Sequence, residues 1–345
     1  MIAASTPLLR IDGLSVTIRT ERDSLTVVDG LSMVVAPDEV LCIVGESGSG
    51  KSVTMLSVMR LMDERAVDYA GAISFGGQEL LTLSQREMQQ VRGSGIAMIF
   101  QDPMTALNPV YRIGWQIAEQ IRAHSGVSSQ EARKQTLALL RAVGIPDPDR
   151  RIDSYPHELS GGMRQRVMIA LALSCQPRIL IADEPTTALD VTIQAQILRL
   201  IMQLKADTGM AVILVTHNMG VVAEVADRVH VMYGGRLVEQ GSAVDIFSNP
   251  QHPYTWGLLR SIPRLYEARP HRLAAIPGTP AAAGQIAPGC VFAARCAHRF
   301  EDCDVQPSLS AVADADDHVV ACHLPAATRQ AVRGRWQNPR EEAAT

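Results

Sequence analysis

Short apolar runs alternate with amphipathic segments along most of the chain. Four runs are five or six residues long and almost wholly apolar: Val40–Val44, Ile96–Phe100, Ile179–Asp183 and Ala211–Thr216. Runs of this length and composition are typical of strands buried on both faces, as in a parallel sheet covered by helices. The pattern therefore predicts an α/β domain.

Two earlier segments, Leu8–Ile18 and Leu25–Val35, alternate apolar and polar residues around a charged turn, which predicts antiparallel strands. Helical spacing predominates from about residue 104 to residue 175. The other predicted elements are helices over Lys51–Met62, Ile113–His124, Ser128–Val143, Met163–Leu173 and Thr192–Asp207, and a hairpin of Val229–Met232 with Arg236–Gln240.

Prolines begin to recur near residue 249 and continue through the tail. We place a domain boundary near residue 260, with one large domain over residues 1–260 and a small irregular extension over residues 261–345. The net charge of −4 lacks the basic excess of a general nucleic-acid binder.

The N-terminal segment Met1–Pro7 has no pattern of a secretory signal, and no apolar stretch approaches the roughly 18 to 20 residues of a membrane span. We therefore expect a soluble chain, whose association with any membrane comes through a partner.

A glycine-rich loop follows the first apolar run and precedes a predicted helix. It fits the pattern G-x-x-x-x-G-K-S/T, in which backbone N–H groups and the positive helix end bind phosphate. The lysine would contact the β and γ phosphates, and the final serine would bind Mg²⁺. The candidate nucleotide-binding residues are Gly45, Glu46, Ser47, Gly48, Ser49, Gly50, Lys51 and Ser52.

The apolar run Ile179–Asp183 ends in an acidic pair. Asp183 could hold Mg²⁺, and Glu184 could polarise an attacking water. Alone, the pair is equally well interpreted as a solvated strand end. Beside a phosphate-binding loop, the catalytic interpretation is favoured.

A second candidate anion site lies at Ser160, Gly161 and Gly162, directly before a predicted helix. One nucleotide needs only one phosphate-binding loop, so this second site is most simply assigned to the nucleotide of a partner subunit. The alternative is an ordinary capped helix with a flexible lead-in.

These motifs, in this order, resemble those of ABC ATPases, and the resemblance covers about residues 8–260. Ser-Gly-Gly-Met-Arg-Gln-Arg after Leu159 resembles the family signature, and Gln101 resembles the Q-loop glutamine. Asp190 resembles the D-loop aspartate, and His217 the switch histidine.

The resemblance implies a P-loop NTPase with a RecA-like core, an antiparallel β subdomain and a helical subdomain. It also implies that two such domains close head to tail on two ATP molecules. Glu184 would then act as general base, His217 would contact the γ phosphate, and Gln101 would sense Mg²⁺ and the phosphate. Asp190 would couple the two sites. The family often stacks an aromatic side chain on adenine, where this sequence has Ile18.

Further motifs resemble the di- and oligopeptide importer subfamily: Gln101–Pro109, Tyr155–Glu158, Asn249–Thr255 and, in the extension, Gly289–Phe292. The resemblance implies a second ABC ATPase subunit in a heterodimer, two membrane permease subunits and an external solute-binding protein. It places the chain at the cytoplasmic face of the inner membrane. The same ATPase could serve nickel, glutathione or oligosaccharide import. A soluble ABC ATPase acting on DNA or ribosomes is a weaker alternative, as is a regulatory protein without turnover.

Four of the six cysteines, Cys290, Cys296, Cys303 and Cys322, crowd into the extension with spacing C-x5-C-x6-C-x18-C. Disulfides are disfavoured because an ATP-binding subunit works in the reducing cytosol. Structural zinc more often shows C-x2-C pairs. Some peptide importer subunits carry a 4Fe–4S cluster in this extension, and such clusters tolerate irregular spacing. The leading prediction is therefore a 4Fe–4S cluster, with zinc or metal-free thiols as alternatives.

Overall fold

The structure is a computed structural model. The residues it describes are 6–21, 23–102, 106–185, 191–262, 276–281, 284, 286, 288–313, 315 and 317–337. The predicted D-loop residue Asp190 lies outside them.

The strands of the described residues are numbered in chain order. They are β1 (Leu9–Arg19), β2 (Ser24–Val35), β3 (Val40–Val44), β4 (Val67–Phe75), β5 (Gln78–Glu79), β6 (Ile96–Ile99), β7 (Ile179–Asp183), β8 (Ala211–Thr216), β9 (Arg228–Tyr233), β10 (Arg236–Ser242), β11 (Ser310–Ala311) and β12 (Val319–Val320).

The α-helices are numbered in the same way. They are α1 (Lys51–Val58), α2 (Gln85–Val91), α3 (Ile113–Ser125), α4 (Ser129–Ala142), α5 (Pro148–Arg151), α6 (Gly161–Leu173), α7 (Val191–Thr208), α8 (Met219–Val225), α9 (Ala243–Ser248), α10 (Pro253–Arg260) and α11 (Ala326–Gln337).

The central sheet has the strand order β11-β12-β10-β9-β3-β8-β7-β6. Its middle is parallel, because β3 pairs in parallel with β8 and β9, and β7 pairs in parallel with β8 and β6. Both faces of β3 are buried: Val40, Cys42 and Val44 pack into one apolar cluster, while Leu41 and Ile43 pack into the other. The two clusters cover opposite faces of the sheet, as the apolar run predicted. The α/β prediction is confirmed.

A separate antiparallel sheet has the order β2-β1-β4-β5. Its first two strands were predicted, but β4 and β5 were not. The segment Val67–Phe75 contains two small residues and a glycine at its centre, so its apolar alternation is weak. It is recognisable as a strand only because β1 pairs with it.

Helix α1 ends at Val58, four residues before its predicted end. Arg60 adopts a left-handed φ of 46°, and the N–H of Leu61 donates to the carbonyl of Leu56 at 2.9 Å. This is the geometry that closes a helix end. Leu61 and Met62 fit the apolar spacing of a helix but lie beyond its end, so the predicted helix was too long.

Part of the predicted C-terminal extension joins the central sheet. Strand β12 pairs antiparallel with β10, with Val320 opposite Glu239, and β11 forms the edge of the sheet. His318 Nε2 lies 2.8 Å from Glu239 Oε1, and both side chains are fully buried. The extension therefore completes the central sheet.

Candidate active site

The glycine-rich loop joins β3 to α1 and has the backbone geometry of an anion-binding loop. Gly50, at the N-terminus of α1, has a left-handed φ of 96°. A Cβ atom there would lie 2.8 Å from the carbonyl oxygen of Val27. Only glycine fits both the conformation and the space. The loop therefore turns tightly enough to direct its N–H groups toward one anion.

Lys51 is buried within this loop. Its Nζ donates to the carbonyls of Gly45 and Glu46, each at 2.8 Å, and to Ser49 Oγ at 3.3 Å. Burial lowers the pKa of Lys51, while the carboxylates of Glu184, Asp183 and Glu46 raise it. An anion placed in the loop would compensate this buried charge, which favours phosphate binding.

The two predicted Mg²⁺ ligands lie next to each other. Ser52 Oγ donates to Asp183 Oδ1 at 3.0 Å, joining the start of α1 to the end of β7. Burial raises the pKa of Asp183, and the hydrogen bond from Ser52 lowers it. A hydroxyl and a carboxylate are hard oxygen donors, and they suit Mg²⁺ shared with nucleotide phosphates. The residues present therefore fit this cofactor.

Glu184 occupies a constrained position directly after β7. It adopts a left-handed φ of 44°, and its N–H donates to Val215 O on β8 at 2.9 Å. Its carboxylate accepts from Gln101 Nε2 at 3.2 Å, and its other oxygen lies 3.1 Å from His217 Nδ1. Positive φ is uncommon outside glycine and clusters at functional sites. Three predicted catalytic side chains therefore meet at one carboxylate.

These groups line one cleft of about 540 Å³, together with the glycine-rich loop. Val27 of β2 also lines it, whereas Ile18 does not; Ile18 packs with the apolar cluster around β1. Val27 therefore contributes aliphatic surface to the cleft, whereas Ile18 does not. No sequence motif marks Val27, whose position is set by the close approach of its carbonyl to Gly50.

The second predicted anion site is located elsewhere. Ser160 is the N-cap of α6, and its Oγ accepts from Met163 N at 3.4 Å. Ser160 and Gly161 are exposed, and neither is among the described residues that line the cleft. The chain thus presents two separated anion-binding geometries.

The comparisons with known proteins agree with this geometry. The family described as "ABC transporter" matches residues 28–187. The dipeptide transport ATP-binding protein DppD of Haemophilus influenzae is 48% identical over 319 residues, covering 92% of this chain and 96% of that protein. The chain belongs to the ABC ATPase family. A Brucella abortus protein named for peptide import is 51% identical over 319 residues, covering 89% of this chain and 94% of that protein.

A second family match and two solved structures add detail. The family described as "Oligopeptide/dipeptide transporter, C-terminal region" matches residues 238–303 of this ABC ATPase. The ATP-binding cassette MJ0796, solved as a dimer after hydrolysis with ADP and phosphate, superposes with a TM-score of 0.61 at 26% identity, covering 68% of this chain and 98% of that chain. CbiO1 of Clostridium perfringens gives a TM-score of 0.59 at 26% identity, covering 70% and 91%. Across the described part of the chain, no helix of this ABC ATPase has the length and apolar character needed to cross a membrane.

The four cysteines of the extension lie near one another. Burial raises the pKa values of Cys290, Cys296 and Cys322, the last to about 11, and neighbouring cysteines of the set raise them further. Within the described ranges, however, no three His, Cys, Asp or Glu side chains are arranged to hold a metal ion. The structure therefore does not support the predicted 4Fe–4S cluster or zinc.

Sequence reasoning missed two residues that contact the glycine-rich loop from outside the motifs. Tyr254, on α10, accepts a hydrogen bond from Glu46 N at 2.7 Å. Arg295, in the extension, forms an ion pair with the Glu46 carboxylate. Tyr254 belonged to a recognised subfamily motif, but no role was assigned to it. Arg295 carried no signal, because its partner lies 249 residues away.

Proposed function

We propose that this ABC ATPase hydrolyses ATP to power import of di- and oligopeptides through a membrane permease. The observation that carries the ATPase assignment is the Glu184 carboxylate, held between Gln101 and His217 at the mouth of the phosphate-binding loop. Peptide import is inferred from the names of the relatives in Haemophilus and Brucella and from the match of the C-terminal region.

The proposed chemistry assigns each side chain one task. Lys51 binds the β and γ phosphates, while Ser52, Asp183 and Gln101 hold Mg²⁺. Glu184 orients and polarises the attacking water, and His217 contacts the γ phosphate. When bound, Mg²⁺ neutralises charge on the phosphate oxygens. The short contacts from Gln101 and His217 support this assignment, because they fix the direction of the Glu184 carboxylate.

We propose that each ATP is sandwiched between two cassettes. The exposure of Ser160 and Gly161, outside the cleft of their own chain, supports a role for them on a partner's nucleotide. The dimeric state of MJ0796 with ADP and phosphate supports the same arrangement. Asp190 is proposed to couple the two sites, although it lies outside the described residues. The partner is proposed to be a second, different ABC ATPase subunit.

A groove between the core and the helical subdomain is proposed to receive the permease. It has a volume of about 270 Å³ and is lined by Leu61, Phe100, His124 and Met168 among others. Phe100 directly precedes Gln101, so a segment seated in the groove would act on the cleft. At the start of α3, the helix that carries His124, Tyr111 and Trp115 stack with 4.3 Å between ring centroids and are 45% and 50% exposed. Exposed stacked aromatics favour a protein contact.

The remaining assignments follow from this proposal. Two permease subunits and an external solute-binding protein would complete the importer, and the chain would lie peripherally on the cytoplasmic face of the inner membrane. The ATPase domain would span residues 1–260 and the extension residues 261–345. No nucleic-acid partner is proposed.

The 4Fe–4S cluster stays a proposal that rests on the grouping of the four thiols alone. A cluster would require these side chains to turn toward a common centre. Anaerobically purified protein would then be brown and contain iron and sulfide. A colourless preparation that contains zinc would contradict the cluster.

The ATPase proposal is tested with Glu184→Gln. The amide cannot accept a proton from water, so we expect ATP binding to persist while steady-state turnover falls by about 100-fold or more. Turnover is measured by phosphate release from the assembled transporter, and binding by nucleotide retention. Glu301→Gln, an exposed position on the extension, is the matched control. Undiminished turnover in Glu184→Gln would refute the assigned role.

A further inference from the structure

The phosphate-binding loop contains one acidic side chain, that of Glu46, among the residues Gly45–Ser52. A carboxylate beside a triphosphate is unfavourable in two ways. It repels the phosphates, and it competes with them for Lys51. The carboxylate does act on this lysine, because Glu46 is among the charges that raise the pKa of Lys51. Neutralising and holding Glu46 would therefore favour nucleotide binding.

Arg295 does both from the C-terminal extension. Its Nη1 lies 2.5 Å from Glu46 Oε2, and its Nη2 lies 3.2 Å from Glu46 Oε1. The arginine side chain is 4% exposed and that of Glu46 is 26% exposed. Such a two-point contact fixes both the charge and the direction of a carboxylate, which a lysine could not do equally well.

The guanidinium itself is held by four further contacts. Nε donates to Pro277 O at 2.9 Å, and Nη2 donates to Ile276 O at 3.1 Å. Nη1 also lies 3.3 Å from Tyr233 Oη, and the guanidinium carbon lies 5.8 Å from the centroid of that ring. Arg295 is therefore preorganised by the extension and by β9, independently of its contact with Glu46.

Tyr254 holds the backbone of the same residue. The N–H of Glu46 donates to its Oη at 2.7 Å, and the tyrosine ring is fully buried. The ring packs edge-on against Tyr233, with centroids 4.7 Å apart, and lies 5.4 Å from Phe292. Side chain and main chain of Glu46 are thus held by residues that lie outside the phosphate-binding motif.

We propose that Arg295 and Tyr254 are positioning residues for ATP, which keep Glu46 paired away from Lys51 and the phosphates and so make the C-terminal extension part of the nucleotide site. This inference rests on the proposed ATPase function. Arg295 lies between Cys290 and Cys296, so the segment that carries the thiols is also the segment that holds the loop.

A charge-rescue experiment separates positioning from a merely structural role. The purified full chain is titrated with Mg·ATP, and the Kd is measured for Arg295→Gln, Glu46→Gln and the double variant. Arg295→Gln leaves the Glu46 carboxylate unpaired, so we expect its Kd to rise about tenfold. In the double variant no free carboxylate remains, and the Kd should return to within about threefold of the original value.

Two further variants keep the test decisive if Arg295→Gln folds poorly. Arg295→Lys retains the charge but loses the two-point contact, and Tyr254→Phe loses only the hydroxyl; each should raise the Kd about threefold. Arg299→Gln is the matched control, because Arg299 pairs with Asp304 on the surface of the same extension; its Kd should not change.

The inference is overturned if Arg295→Gln and Arg295→Lys bind Mg·ATP as tightly as the original chain. It is also overturned if the double variant binds Mg·ATP as weakly as Arg295→Gln does. Adding Glu46→Gln removes the unpaired carboxylate but would not repair a structural defect. Lys51→Ala tests the proposed ATP site separately from the positioning role of Arg295. If Lys51→Ala loses ATP binding while the Arg295 variants do not, the ATP site stands and only the positioning role falls.

Discussion

The nucleotide cleft and the C-terminal extension place their charged groups under different constraints. In the cleft, Glu184 and His217 are 18% and 60% exposed, and they contact each other at a strand end. In the extension, Arg295 and His318 are almost fully buried, and they bind acids 249 and 79 residues away in sequence. Both cleft side chains are therefore more accessible to a ligand than Arg295 and His318, which make buried polar contacts with residues before position 260.

This comparison predicts that replacing Lys51 in the cleft acts mainly on ATP binding, whereas replacing His318 in its buried pair with Glu239 acts mainly on stability. The largest effect is expected for Lys51→Ala. It removes the buried cation that faces the phosphates, so affinity for Mg·ATP should fall by about 100-fold or more. Equilibrium binding measures the effect. Lys134→Ala, at an 81% exposed position, should bind as before; equal loss in both variants would contradict the assignment.

The buried pair of Glu239 and His318 should affect stability more than ATP binding. Glu239 accepts from the N–H groups of Gln251 and His252 as well as contacting His318. His318→Leu removes the imidazole from this buried carboxylate and leaves each oxygen with one backbone N–H, which should lower the free energy of unfolding by about 1 to 3 kcal/mol. Denaturant unfolding measures this. The exposed pair of Arg299 and Asp304 should contribute less than about 1 kcal/mol, and a comparable loss for Arg299→Ala would contradict the comparison.

The smallest expected effect is a gain in the stability of the chain when the cleft residue Asp183 is replaced by asparagine. Burial raises the pKa of Asp183 above the unfolded value of 3.8, so its ionised form is less favourable in the folded chain. Below the unfolded pKa the group is protonated in both states and costs nothing. The cost appears as pH rises through the folded pKa and is complete above it.

Asp183→Asn removes that cost. Without nucleotide, the Tm of this variant should be higher than that of the original chain by about 2 °C at neutral pH. The difference in Tm should shrink as the pH approaches about 4. Thermal unfolding at the two pH values measures this. A Tm difference that grows in acid would contradict the sign of the pKa shift.

Most of the cleft could be predicted from the sequence because its chemistry is local. The loop Gly45–Ser52 and the acidic pair Asp183–Glu184 each follow a strand whose apolar run is unmistakable. Parallel strands bring their carboxyl ends to one edge of a sheet, so the motifs meet there. The position of each motif at the end of a predicted strand was therefore enough to predict that these side chains meet in the cleft.

The contacts of the extension could not be predicted in the same way. Arg295 lies in a short 3₁₀ helix, Ala293–Arg295, with no periodic pattern around it. Its partner is set by how the tail folds back over β9 and α10, which no local signal encodes. Strand Val67–Phe75 was missed for a similar reason, because its pairing with β1 is what defines it.

This ABC ATPase is proposed to couple ATP hydrolysis to peptide import. The most direct test of this coupling is peptide-dependent phosphate release by the importer, reconstituted in lipid vesicles with its permease, partner ATPase and solute-binding protein. We expect peptide and binding protein together to stimulate hydrolysis, and Lys51→Ala in this chain to abolish the stimulation. Stimulation that persists in Lys51→Ala, or hydrolysis that never responds to peptide, would contradict it.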